Sequence, residues 1–104
     1  MGVGNSFYEQ LIYDDNGQLL NASFMDYLIP EATDMPLRME LGHVETPSPL
    51  NPLGMKGVGE AGAIPTPAAF AQAVENAFAA YQIEVTDMPL SPSRLFTLVK
   101  KHTK

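Results

Sequence analysis

Residues 46 to 67 hold five of the chain's nine prolines and four of its eight glycines. Proline denies the backbone a donor and glycine raises the entropy cost of any fixed conformation, so neither a long helix nor a central strand crosses this stretch. Regular structure is confined to the two flanks. An aperiodic run of that length in a chain of 104 residues reads as an ordered, functional loop. Within it, Asn51-Pro52-Leu53-Gly54-Met55-Lys56-Gly57-Val58-Gly59-Glu60-Ala61-Gly62 sets one carboxylate among closely placed glycines. Such glycines permit positive φ and close backbone approach, so the run is expected to press against a partner with Glu60 at its tip. Gly57-x-Gly59 lacks the third glycine of a dinucleotide fingerprint, and no Gly-Lys-Ser/Thr follows, which removes the nucleotide-loop readings.

The flanks carry periodic patterns. Phe7 and Leu11, with Tyr8 and Ile12, have helical spacing over residues 5–13, and Asp14-Asp15-Asn16-Gly17 then turns the chain. Gln18 to Ile29 is strand-like with two registers open, and Pro30 stops it. Leu37, Met39 and Leu41 alternate with Arg38, Glu40 and Gly42, the period of a half-buried strand continuing to Glu45. Pro67 to Tyr81 is the clearest helix, with Ala68, Phe70, Ala71, Val74, Ala77, Phe78 and Tyr81 on one face. Ile83 to Thr86 reads as a short strand. Ser91-Pro92 opens a last helix to about Lys101, Ser91 as cap. These patterns predict a single α+β domain over residues 1–104. Its small mixed or antiparallel sheet would carry helices on one face, with the Gly57–Gly62 loop projecting from one end.

Composition excludes several function classes. Twelve acidic against six basic residues give a net charge of −6, which opposes binding to nucleic acid or an anionic membrane surface. Without cysteine the chain holds no disulfide, iron–sulfur or thiolate zinc site. No apolar run approaches the roughly 20 residues needed to span a bilayer, and no leader pattern opens the chain, so a cytoplasmic location is expected. His43 and His102 lack the partners of a metal site, so none is expected within the chain. No serine sits in a Gly-x-Ser-x-Gly context. Asp26 and Tyr27 read as a hydrogen bond closing a loop, and Lys56 as a solvated or subunit-facing cation. Spacing alone makes Glu60 a solvated loop carboxylate.

Several motifs together say more. Gly2-x-Gly4, Met25-Asp26-Tyr27-x-x-Pro30, Glu45-Thr46-Pro47-Ser48-Pro49-x-Asn51-Pro52-x-Gly54, Lys56-Gly57-Val58-Gly59-Glu60-x-Gly62 and Pro67-Ala68-Ala69 with Asn76-Ala77 follow in this order. Over nearly the whole chain they resemble the C-terminal end of the large, molybdopterin-binding subunit of the xanthine dehydrogenase, aldehyde oxidase and aerobic carbon monoxide dehydrogenase family.

The resemblance implies that Glu60 is the active-site base. It would take the proton from a molybdenum-bound hydroxyl, whose oxygen attacks the substrate while hydride passes to a sulfido ligand. A pKa raised by burial towards the working pH would suit that role. Gly57, Val58 and Gly59 either bring backbone close to the metal or pterin, or only make the turn.

The implied cofactor is molybdenum–molybdopterin, often as a cytosine dinucleotide, held in the complete subunit and not by the isolated chain. The implied partners are the remainder of the large subunit, a FAD-binding subunit and a [2Fe-2S] subunit. Substrates in the family are aldehydes, purines and other N-heterocycles, or carbon monoxide, the last with copper beside the molybdenum. The resemblance also implies that the chain starts inside a domain and is inactive alone. The competing reading is a non-catalytic interaction module or a remnant in which Glu60 meets no metal.

Overall fold

A computed structural model describes residues 1–103. Three α-helices carry the regular structure: α1 (Gly2–Phe7), α2 (Thr66–Ala77) and α3 (Pro92–His102), with single 3-10 turns at Ala32–Asp34 and Ala79–Tyr81. The expected sheet is absent among the described residues. Its only trace is an isolated antiparallel bridge between Tyr13 and Leu19. The α+β reading is therefore corrected to a helical one. The reason is physical: alternation selects an extended backbone, but a strand exists only where a second backbone answers its N–H and C=O groups. Around residues 37–41 none does. Leu37 and Leu41 are exposed, and the Arg38 guanidinium pairs at 2.9 Å with Glu40, two residues on and on the same side. Ile83–Thr86 is likewise no strand, since the Val85 N–H goes to the Glu75 carboxylate at 2.8 Å.

Helix α1 is displaced from the expected 5–13. Gly2 and Gly4 are poor helix formers, yet both are buried at close contacts, and at Gly2 a side chain would meet backbone. A Cβ on Gly2 would collide with the Gly62 carbonyl oxygen and the Thr66 side chain, and one on Gly4 with the Glu9 carboxylate. Beyond Tyr8 the helix cannot continue. The buried Asn21 amide donates to the Gln10 carbonyl at 2.5 Å and accepts from the Ile12 N–H at 2.9 Å, holding that segment extended. The expected turn at 14–17 is present: the Asp14 carboxylate accepts from the Asn16 and Gln18 N–H groups, and Gly17 has φ of 79°.

The packed centre is small. Phe7 of α1 meets Phe70 of α2 edge to face at 4.7 Å, and the Leu90 N–H donates to the Ser6 carbonyl at 2.6 Å. Leu90, Ile83 and Ser6 are buried there. Helix α2 stops before Tyr81 because the chain tightens into the 3-10 turn and Gln82 takes a left-handed conformation. Helix α3 starts as expected, the Ser91 hydroxyl accepting from the Arg94 N–H at 3.4 Å.

Outside this centre the chain is open. Its radius of gyration is 17.8 Å, against about 13 Å for a compact chain of this length. Its accessible surface is 8811 Å², against about 5,700 Å² expected for its mass.

Candidate functional site

The segment that carries Glu60 is built in three parts. From Thr46 to Lys56 the chain closes on itself. Ser48 N–H donates to the Gly54 carbonyl at 3.0 Å. The Asn51 side chain accepts from the Met55 N–H at 2.8 Å and donates to its carbonyl at 3.0 Å. Lys56 Nζ reaches the Thr46 hydroxyl at 3.0 Å across the base. Gly54 has φ of 65°, and a Cβ there would press on Pro47 at 2.7 Å, so here glycine is required twice over.

Gly57, Val58 and Gly59 follow as an exposed link. Neither glycine has positive φ, and a Cβ on either would meet nothing within 4 Å. Gly59 stands in the turn from Val58 to Ala61 and Gly57 precedes it, both bordering open space, while Gly54 is the glycine whose own turn requires positive φ.

The third part is the turn itself. Ala61 N–H donates to the Val58 carbonyl at 3.1 Å, while Ala63 and Ile64 N–H groups share the Glu60 carbonyl at 2.7 and 3.0 Å. The Thr66 hydroxyl donates to the Gly62 carbonyl at 2.6 Å and so ties the turn to the first residue of α2. Against this junction Gly2 of α1 packs with no room to spare. The turn that carries Glu60 is thus hydrogen-bonded to α2 through Gly62 and packed against α1 at Gly2, while the Glu60 side chain is exposed. Among the described residues its carboxylate makes no hydrogen bond or ion pair. An open cavity of about 470 Å³ lies beside the junction, lined by Gly2, Val3, Glu9, Pro30, Gly62 and Thr66. A larger groove of about 640 Å³ runs along α3 past Asp87, Arg94 and Lys101, and no residue of 57–60 lines it.

The family model of the molybdopterin cofactor-binding domain matches residues 1–36. The 6-hydroxypseudooxynicotine dehydrogenase complex subunit gamma of Paenarthrobacter nicotinovorans is 38% identical over 96 residues, covering 92% of this chain and 12% of the relative. The carbon monoxide dehydrogenase large chain of Hydrogenophaga pseudoflava is 40% identical over 104 residues, covering 97% of this chain and 12% of the relative. Quinoline 2-oxidoreductase from Pseudomonas putida 86 superposes with a TM-score of 0.85 at 42% identity, over 96% of this chain and 13% of that one. The chain belongs to the molybdenum hydroxylase large-subunit family. It spans about 12% of the length of the curated relatives it matches.

Within this family member the remaining sequence candidates separate. Asp26 accepts from the Ser23 hydroxyl at 3.2 Å in a local turn, the structural role expected of it. Tyr27 instead donates to Glu9 at 2.7 Å, a bond that holds its phenol above the usual tyrosine range, with desolvation and the Glu9 charge adding to it. His43 is exposed, and the His102 ring contacts the Leu98 carbonyl of its own helix. Among the described residues no group of three or more His, Cys, Asp or Glu could hold a metal ion, and no helix is long and apolar enough to cross a membrane. Sequence reasoning missed Asn51 and Glu9. The Asn-Pro-x-Gly spacing carries the first, as asparagine readily bonds backbone beyond a turn; nothing local marks the second.

Proposed function

We propose that this chain is the C-terminal part of a molybdenum hydroxylase large subunit and that Glu60 is its catalytic base. The observation that carries the reading is a carboxylate without a hydrogen-bonding partner among the described residues, on a turn hydrogen-bonded to α2 and packed against α1. A general base needs that combination of fixed origin and available oxygen. The chain also offers what such a cofactor requires of it. Molybdopterin brings its own metal, so the protein's share is approach, orientation and electrostatics. The open backbone at Gly57 and Gly59 would let the pterin or metal come near, with Val58 between them at the edge of the approach. When bound, the cofactor supplies the two-electron redox chemistry and the electrophilic metal.

The protein's own step is a proton transfer. Glu60 would accept the proton of the oxygen nucleophile as that oxygen meets the carbon of a small-molecule substrate, and would hold it until product leaves. Closure of the surrounding subunit would desolvate the carboxylate and raise its affinity for that proton. The cytosine dinucleotide form of the cofactor, the FAD and [2Fe-2S] partner subunits and a cytoplasmic location belong to the same reading, as does inactivity of this piece alone. The relatives' printed names, a complex subunit and a large chain, support the multi-subunit part of it.

Glu60→Gln in the assembled enzyme tests the assignment. The variant keeps the size of the side chain and the main-chain bonds of the turn. Turnover should fall at least about 10³-fold with molybdenum content unchanged, general-base loss at such a step being of that order. Unaltered turnover in a molybdenum-loaded variant would remove Glu60 from the mechanism.

A further inference from the structure

Helix α2 has no side-chain cap, and the hydroxyl at its first residue, Thr66, turns back to the preceding loop instead. It donates to the Gly62 carbonyl at 2.6 Å. Among the described residues no backbone N–H reaches that carbonyl, so Thr66 is the donor that satisfies it. The residues spanned by this bond are the same ones that knot the turn. Ala63 and Ile64 give their N–H groups to the Glu60 carbonyl at 2.7 and 3.0 Å. One short stretch thus carries two sets of bonds, and removing the hydroxyl loosens the stretch that fixes the main chain of Glu60. Helix α1 braces it from the other side. Gly2 lies against both ends of the Thr66–Gly62 bond, where a Cβ would strike the Gly62 oxygen and the Thr66 side chain. Gly2 is itself held, because the fully buried Ser6 hydroxyl donates to its carbonyl at 2.6 Å.

We infer that Thr66 is a positioning residue for the carboxylate of Glu60: its hydroxyl anchors the turn to α2 and so sets where the base stands. The inference rests on the reading of Glu60 as that base. A glutamate side chain has three torsions of its own, so its reach is accurate only if the main chain bearing it is fixed. Catalytic groups must be held within about 0.5 Å of the productive place, and a misplacement of about 1 Å can cost about 10²-fold. Thr66 acts through Glu60 alone.

Thr66→Val keeps the shape of the side chain and removes the hydroxyl. In the complete, molybdenum-loaded enzyme it should lower kcat at least about tenfold with KM and molybdenum content unchanged, and Thr66→Ser should restore kcat. Amides of Ala63 and Ile64 should exchange about tenfold faster in Thr66→Val, with those of α3 unchanged. Adding Thr66→Val to Glu60→Gln should cost no further turnover, since both act at one carboxylate. Undiminished kcat in Thr66→Val, no rescue by serine, unchanged exchange at both amides, or a full further loss in the Glu60→Gln background each overturns the inference. A fully active Glu60→Gln enzyme overturns the reading of the base and this inference with it. An inactive Glu60→Gln beside a fully active Thr66→Val overturns this inference alone. Where Thr66→Val does not load molybdenum, Thr66→Ala, which adds no bulk, carries the same expectation. Failure of both to load assigns the hydroxyl to folding and overturns the positioning role.

Discussion

The corner where α1 meets α2 and the arm from Pro36 to Glu60 both carry large apolar residues, yet they hold themselves in opposite ways. In the corner, side chains and main chain interlock: Phe7 on Phe70, Leu90 bonded to Ser6, Gly2 seated against Gly62 and Thr66. In the arm, order comes from local hydrogen bonds within ten residues of sequence, and the large side chains face outward. One region is fixed by burial and the other by bonding. Apolar content alone therefore does not say where a core is; what matters is whether complementary surface lies within the same chain.

Substitutions can break or sharpen this contrast. Gly2→Val should have the largest effect, because its side chain would strike a backbone carbonyl that cannot move aside. A loss of about 4 kcal/mol or more, the extreme end for single changes, should show in the urea midpoint of the chain. Leu90→Ala should come next at about 3 kcal/mol for a buried leucine, whereas Leu37→Ala should stay within about 0.5 kcal/mol in the same measurement. Equal effects of the two leucines would erase the distinction between corner and arm. Asn51→Ala removes both bonds to Met55 and should weaken the arm locally by about 1–2 kcal/mol. Amide exchange at Met55 should accelerate accordingly, with amides of α2 unchanged.

The smallest effect is a matter of pH. The hydrogen bond from Tyr27 to Glu9 raises the phenol's pKa in the folded chain, so its stabilisation is complete below the ordinary tyrosine value of about 10. It is lost as pH rises through the higher folded value. Tyrosinate absorbance should show Tyr27 ionising late, and Glu9→Gln should bring that ionisation down. Tyr8, bonded to Asp34, shifts in the same direction and is told apart by Asp34→Asn.

The parts of the fold that the sequence reveals are those whose cause is local. Ser91-Pro92 marks the start of α3 because cap and first turn are neighbours in the chain, and Asp14 to Gly17 turns for the same reason. The apolar period of α2 runs on to Phe78 and Tyr81 although the helix has ended, since periodicity does not sense the left-handed Gln82. The sheet is misread because pairing depends on a second backbone that no residue between Leu37 and Glu45 can announce. Helix α1 is misplaced for the complementary reason: Gly2 and Gly4 look unhelical until Gly62, Thr66 and Glu9 are known to crowd them. Glu60 is conspicuous from its motif, but that its carbonyl rather than its carboxylate ties the turn is visible only in three dimensions.

That last feature separates two properties usually bound together. The turn is knotted by the carbonyl of residue 60, an atom every amino acid owns, so geometry and chemistry vary independently at this position. Aspartate, glutamine or serine placed there inherits the same perch, and a library at this single codon would read out proton affinity and reach on an unchanging mount.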